Sequence, residues 1–565
     1  MIPLLMFWLQ FAALASVSIC FEQVYPRVRD ERPASTSTIW QQTDSSQPFF
    51  IDLPLDHFDP QTNATFNNRF WVNASYYEEG GPVFLFDSGE QDAEPLLPYY
   101  LQEYHGLSAT MRLAERYKGI AILWEHRYYG ASQPFPVNRQ TTPEQWKYLT
   151  TEQALEDVVF FSNSFGKSAP NISTDNPLEL PLHPSVAPWV MIGGSYPGVR
   201  AAHLRVRNPE VIYASWASSA PVHSQVDMAS YYKAAERSLT RNCSADWVAV
   251  TRFVDDILTN NSTTKNDLKF KLWKARLMHP GNNATDANKL TEQQAVGRSD
   301  VSTASILMDP LNFYQNLHSV PKLILGKYYG FDASLLPFCN LLETRNFTAT
   351  PLETGIAGTD GIESALDAFL VALGELDYDS IPGSPDDPVQ DTSWMRQYCS
   401  EYGFYQRGDP QNPLSIETSL QSLQLFQTQC NDAFADHLPS WPQVDHVNKY
   451  GGWNMQPSNV MFTNGEFDPW RTMGLASIEP NSPHREPTVD VPACNEPPTG
   501  SSFFGMTYAN MVHVSDLRVL LVPDENHTDF KTIGFYSPVS QEPFFTGLGL
   551  FQLALDEWLP CFSKS

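Results

Sequence analysis

Ser195 stands in Gly193-Gly194-Ser195-Tyr196-Pro197-Gly198, between the apolar run Trp189-Val190-Met191-Ile192 and the helical pattern Val199-Arg200-Ala201-Ala202-His203-Leu204. A hydroxyl held between small residues on a strand-to-helix turn is the arrangement of an activated serine nucleophile, because the strained turn lifts Oγ clear of the sheet. The helix N-terminus and the Tyr196 N–H then favour a developing oxyanion. In this strand-turn-helix order the acid follows a later strand and the base follows the last one. Val460-Met461-Phe462-Thr463 runs into Asn464-Gly465-Glu466-Phe467-Asp468, which makes Asp468 the acid and Glu466 its rival. Asp445 reads as a solvated loop carboxylate. Val519-Leu520-Leu521-Val522 runs into Pro523-Asp524-Glu525-Asn526-His527, which makes His527 the base. His513 precedes that run and is set aside, and His203 and His126 read as packing or structural histidines. Ser195, Asp468 and His527 then perform acyl transfer: the imidazole takes the serine proton, returns it to the leaving group, and is oriented by the carboxylate. A second oxyanion donor is expected after the first core strand, near Ser88-Gly89-Glu90, with Gly89 chosen and Glu90 assigned to substrate.

The elements that position these residues are visible as short apolar runs at Gly81–Phe86, Ile120–Trp124, Trp189–Ile192, Val211–Trp216, Val460–Thr463 and Val519–Val522. Such runs read as parallel strands buried on both faces. Helical patterns at Leu107–Tyr117 and Thr151–Phe165 alternate with them, which predicts βαβ units and a doubly wound, mostly parallel sheet. From Pro221 to Trp453 the strand signal fades into helix-like text, as at Tyr231–Leu239, Trp247–Leu258 and Ser364–Leu376. The expected organisation is therefore a signal peptide over residues 1–20, a flexible leader over 21–48, the first part of an α/β core over 49–221, an inserted helical cap over 222–453, and the second part of the core over 454–565. A cap inserted there lies over the carboxyl ends of the strands.

The first twenty residues carry no charge, and polarity rises abruptly at Glu22, Arg27, Arg29, Asp30, Glu31 and Arg32, the pattern of a secretory signal, with an uncleaved anchor as the alternative because no basic residue precedes the apolar run. No later stretch is long and apolar enough to span a bilayer. Cleavage removes Cys20 and leaves Cys243, Cys339, Cys399, Cys430, Cys494 and Cys561, an even set that permits three disulfides without revealing their pairing. Asn63, Asn73, Asn171, Asn242, Asn260, Asn261, Asn283 and Asn346 begin glycosylation triplets, as does Asn526 beside His527. These features agree on a secreted or extracellular chain, or one in a vacuolar or lysosomal lumen. A formal charge of -28 over 565 residues repels nucleic acid and anionic membranes. The cysteines form no CxxC or Cys/His cluster, so neither metal nor cofactor is called for. Oligomeric state is not legible.

Several segments together resemble one family of serine peptidases, that of lysosomal Pro-Xaa carboxypeptidase, dipeptidyl peptidase II, thymus-specific serine protease and the fungal acid prolyl endopeptidases. They are Leu55-Asp56-His57-Phe58, Arg69-Phe70-Trp71-Val72-Asn73, Glu125-His126-Arg127-Tyr128-Tyr129-Gly130, Gly193-Gly194-Ser195-Tyr196, Ala217-Ser218-Ser219-Ala220-Pro221, Trp394 with Gln397-Tyr398-Cys399 and Glu401-Tyr402-Gly403-Phe404, and Asn464-Gly465 with Asp468-Pro469-Trp470. The resemblance implies an α/β-hydrolase core with a helical cap, the triad Ser195, Asp468 and His527, and cleavage after proline in peptide substrates. It leaves carboxypeptidase, dipeptidyl peptidase and endopeptidase modes open. Trp453 and Trp470 are the aromatic candidates for a proline pocket. The chain departs from the family at three places. Its acidic loop reads Ser88-Gly89-Glu90-Gln91, Pro197 replaces a glycine, and the usual His-x-x-Asp reads His527-Thr528-Asp529, one residue short. An esterase or lipase on the same fold, and a silent binding protein, are the competing readings.

Overall fold

The computed structural model describes residues 45–102, 108–165, 182–260, 263–278, 290–311, 322–324, 327–329, 335–344, 354–376, 387–434, 438–509, 511–514, 516–517, 520–523, 530–533 and 547–562. The signal peptide, most of the leader, His527 and the triplets at Asn171, Asn261, Asn283, Asn346 and Asn526 lie outside the described residues.

Nine strands form one sheet: β1 (Phe49–Pro54), β2 (Thr65–Asn73), β3 (Val83–Asp87), β4 (Ile120–Trp124), β5 (Trp189–Gly194), β6 (Ala214–Ser218), β7 (Val460–Gly465), β8 (Pro487–Thr488) and β9 (Phe503–Tyr508). Their order is β1-β2-β4-β3-β5-β6-β7-β9-β8. β1 and β2 pair antiparallel, β2 meets β4 antiparallel, and every pairing from β4 onward is parallel. This is the α/β-hydrolase fold. The chain reverses its direction of growth between β3 and β5, the kind of switch point at which such sheets bind ligands beyond their carboxyl ends.

Both faces of the sheet are buried, which is why its strands read as unbroken apolar runs. Phe84, Phe86, Ala121, Leu123, Val190 and Ile192 face helices α1 (Ala109–Tyr117) and, at the chain's end, Gly547–Trp558. Val83, Leu85, Ile120, Ile122, Trp189 and Met191 face α2 (Thr151–Ser164) and α3 (Tyr196–Arg207). Side chains of Ser108 and Thr150 accept the Met111 and Gln153 amides, starting α1 and α2. Between β6 and β7 the chain builds helices, among them α4 (Arg241–Thr259), α5 (Lys265–Leu277), α6 (Ile362–Gly374), α7 (Pro388–Gln397) and α8 (Leu423–Phe434). Their core, around Trp247, Phe338 and Phe369, is continuous with Tyr196, Trp453 and Trp470. Disulfides join Cys243 to Cys339, Cys399 to Cys430 and Cys494 to Cys561.

Contacts between polar and charged side chains explain several motif residues. Arg69 meets Glu125 at 2.6 Å and Asp92 at 2.6 Å, Arg127 meets Asp157 at 2.5 Å, and His57 meets the same Asp157 at 2.7 Å. Removing one partner of the buried Arg69–Glu125 or Arg127–Asp157 pair leaves an uncompensated buried charge, at a cost of about 3–5 kcal/mol. Asn73 donates its Nδ2 to the Leu101 carbonyl at 2.6 Å, so a glycan there leaves a single N–H to keep that bond.

One strand assignment is corrected. Leu520–Pro523 does not join the sheet but pairs with Phe530–Ile533 in a separate antiparallel ribbon. The last parallel strands are β8 and β9, and β9 carries Gly505 at φ 144°. A Cβ on Gly505 would lie 1.7 Å from the Phe462 carbonyl oxygen. The glycine that interrupts the apolar run is thus the residue that lets β9 approach β7.

Candidate active site

Ser195 sits at φ 64°, ψ −129°, between β5 and α3. A non-glycine residue in such a region costs of order 1–3 kcal/mol and persists where its surroundings over-determine it. Here the Ser195 amide donates to the Ser218 carbonyl at 2.8 Å. A Cβ on Gly193 would fall 2.4 Å from the Pro197 backbone, and one on Gly198 2.9 Å from the Ser218 carbonyl oxygen. Both glycines are therefore required by close packing of helix on strand. Pro197 occupies the first helical turn, where its missing N–H has no partner to lose. The departures at Pro197 and at the acidic loop touch each other: a Cβ on Gly89, at φ +63°, would lie 2.1 Å from Pro197 Cγ.

Asp468 follows β7, is fully buried, and caps a short helical turn by accepting the Trp470 amide at 2.9 Å. Its second oxygen accepts from Asn464 Nδ2 at 3.2 Å. His513 Nδ1 lies 2.9 Å from Asp468 Oδ1 and 3.0 Å from Oδ2. That places the ring proton on Nδ1 and leaves Nε2, buried and without a partner among the described residues, as a lone-pair acceptor. Glu466, the rival acid, is half-buried at the start of the same turn.

The loop bearing His513 lies over the serine turn. Val514 Cγ1 would be 2.5 Å from a Cβ on Gly194, and the Val514 amide donates to Ser219 Oγ at 2.9 Å. Asp516 anchors the loop, accepting from Ser218 Oγ at 2.5 Å and Tyr508 Oη at 3.1 Å. Sequence reasoning passed over this histidine because β9 went unread, which moved the end of the sheet too far along the chain. The signal was present: His513-Val514-Ser515-Asp516 is a complete His-x-x-Asp.

Gly89, the expected second oxyanion donor, lies in the turn after β3. Its amide is committed to Asp87 Oδ1 at 3.0 Å, and Asp87 is in turn paired with Arg200 at 2.9 Å. Tyr196 is the first residue of α3, so its N–H has no intrahelical acceptor. Glu90 is 4 % exposed with Oε2 unpartnered among the described residues. Burial, reinforced by the nearby Asp87 charge, pushes its carboxyl up to about 8. Trp470 lies near His513, ring centres 6.1 Å apart, and meets Tyr231 and Phe404 edge-on. Trp453 instead stacks on His223 at 3.8 Å. Among the described residues no His/Cys/Asp/Glu group is arranged to hold a metal, and no helix is long and apolar enough to cross a membrane.

A strained serine, and a carboxylate paired with a histidine, stand at three strand ends, and the family model described as "Serine carboxypeptidase S28" matches residues 53–294 and 374–484. The chain belongs to this family of serine peptidases. The matched ranges contain Ser195 and Asp468 and end before His513. Over 448 residues the chain is 28 % identical to a protein of Arthroderma benhamiae named "Probable extracellular serine carboxypeptidase", covering 75 % of this chain and 59 % of that one. It is 28 % identical to the human "Thymus-specific serine protease", covering 75 % and 77 %, and 23 % identical to the bovine "Lysosomal Pro-X carboxypeptidase", covering 79 % and 83 %.

Proposed function

We propose that this S28-family chain is a secreted serine peptidase that cleaves peptide bonds after proline through an acyl-enzyme, with Ser195 as nucleophile, His513 as base and Asp468 as its orienting partner. The observation that carries the reading is the His513–Asp468 contact on a loop seated over the strained serine. His513 replaces His527 in this assignment, because it occupies both oxygens of Asp468. In the reaction Nε2 of His513 takes the Ser195 proton as Oγ attacks the carbonyl, then delivers it to the departing amine; water repeats the sequence to release the acyl group. The Tyr196 N–H stabilises the oxyanion. Trp470 supplies an aromatic face for a proline ring, and Glu90 meets substrate as a neutral hydrogen-bond donor. Trp453, seated on His223, has a packing role. We assign residues 49–221 and 454–565 to the core and 222–453 to the cap, and we place the chain outside the cell or in an acidic lumen. Exposed Asn63 and Asn260 and half-buried Asn242 are the glycan sites proposed among the described residues.

The test is labelling of the secreted protein with a fluorophosphonate, beside Ser195→Ala, together with turnover of a proline-containing peptide and of a simple ester. Labelling confined to Ser195 with turnover of the peptide supports the proposal. An unlabelled protein, or one that turns over the ester alone, overturns it.

A further inference from the structure

Tyr196 sits beside the nucleophile, yet its side chain is held by groups that take no part in the reaction. His126 Nε2 and Gln397 Nε2 each lie 2.9 Å from its hydroxyl, and the Tyr129 hydroxyl meets Gln397 Oε1. All four side chains are buried. The direction of every bond in this chain follows from its end. His126 Nδ1 is 2.6 Å from the Arg127 carbonyl oxygen, which only accepts, so Nδ1 carries the proton and Nε2 is a lone pair. Burial and the nearby Arg200 charge keep the ring neutral. Tyr196 must therefore donate to His126, its oxygen can receive only the Gln397 amide N–H, and Gln397 must turn its carbonyl to Tyr129.

Three members come from the core, after β4 and at the start of α3. Gln397 ends α7 in the segment between β6 and β7. It thus closes the chain from the opposite side of the site, where Ser393 also bonds the Tyr128 carbonyl at 2.9 Å and Glu401 binds the Thr151 amide at 2.8 Å.

We infer that Gln397 is a positioning residue: by clamping the Tyr196 phenol against His126 it holds the Tyr196 N–H at the oxyanion position, so Ser195 is reactive only when α7 is docked. This rests on the triad reading above. Hydrogen-bond geometry at an oxyanion matters steeply, since a misplacement near 1 Å costs about 10²-fold in rate.

The test uses the full-length protein with Gln397→Leu and Gln397→Glu, measuring the fluorophosphonate labelling rate at Ser195 and kcat and KM on a proline-containing peptide from pH 4.5 to 7.5. Gln397→Leu is expected to lower kcat and the labelling rate about 10- to 100-fold with KM within about threefold. Gln397→Glu is the sharper test. An ionised carboxylate can accept from Tyr129 but cannot donate to Tyr196, whereas the protonated acid does both. Its activity relative to wild type should therefore recover as pH falls, a pattern that loss of packing does not produce. Wild-type rates in both variants, or a loss in Gln397→Glu that is constant across pH, overturn the inference. Failure of the wild-type protein to label overturns the triad reading and the inference together.

Discussion

Replacing Asp468 by Asn tests the base assignment at its most sensitive point. Oδ1 of Asp468 is tied to the Trp470 amide at 2.9 Å, a backbone donor that cannot turn away. The Asn oxygen must occupy that place, which puts the NH2 at the former Oδ2, facing His513 Nδ1 at 3.0 Å and Asn464 Nδ2 at 3.2 Å. Asn464 can relieve its conflict by exchanging its amide ends. His513 Nδ1–H keeps one acceptor, the Asn oxygen 2.9 Å away at the Oδ1 place, but faces an NH2 at the other and loses the carboxylate charge that stabilises its imidazolium. The ring stays in place without the carboxylate that orients it and stabilises its charged form, a change that cost about 10⁴-fold in kcat in the trypsin-type triad, or about 5 kcal/mol of transition-state stabilisation. The assay is turnover of a proline-containing peptide by Asp468→Asn, His513→Ala and His527→Ala, with circular dichroism to confirm folding. The first two should lose about three to four orders of magnitude, and the third should stay within a few-fold of wild type. Retention of more than a tenth of the activity by Asp468→Asn, or a loss in His527→Ala equal to that in His513→Ala, would refute the reasoning.

Buried carboxyls predict a stability profile tilted towards acid. Burial pushes Glu90 and Glu417 each up to about 8, and burial beside Asp246 raises Glu343. Because these folded-state values lie above the unfolded one, the native state binds more protons. Stability is then fully present below about pH 4.5 as far as these groups are concerned, and is lost as pH rises through about 8. Unfolding free energies from urea titrations should fall from pH 5.5 to pH 8, by up to about 1.4 kcal/mol per pH unit for each such group; Glu417→Gln should flatten the slope, and a rising profile would contradict the argument. Changing Cys243 and Cys339 together to Ala opens a loop with a sequence separation of 96 residues and should cost about 2–4 kcal/mol, read as a lowered unfolding midpoint. Trp470→Ala removes the aromatic face beside His513 and should lower kcat/KM for proline-containing peptides by about ten- to a hundredfold, with a smaller effect on a simple ester. Equal losses on both would point to a purely structural tryptophan.

The serine turn was legible in the sequence because its demands are local. A strained residue between strand and helix needs small neighbours at fixed offsets, and Gly193, Gly194 and Gly198 stand where packing requires them. Asp468 was legible for the same reason, one short turn past an unmistakable buried strand. The histidine that pairs with Asp468 was not, since its place depends on which run ends the sheet, and β9 disguises itself with Gly505, whose purpose is visible only against the Phe462 carbonyl. Leu520–Pro523 has the composition of a core strand but finds its partner in Phe530–Ile533. Composition sets a propensity, whereas pairing depends on what else is near. Nor could spacing reveal that the Gly89 amide is spent on Asp87, or that Gln397, 201 residues beyond Tyr196, grips its hydroxyl. Local sterics write themselves into neighbouring residues. Contacts between distant segments leave only single polar residues in the sequence, and their partners are decided when the sheet and the helices over it close on one another.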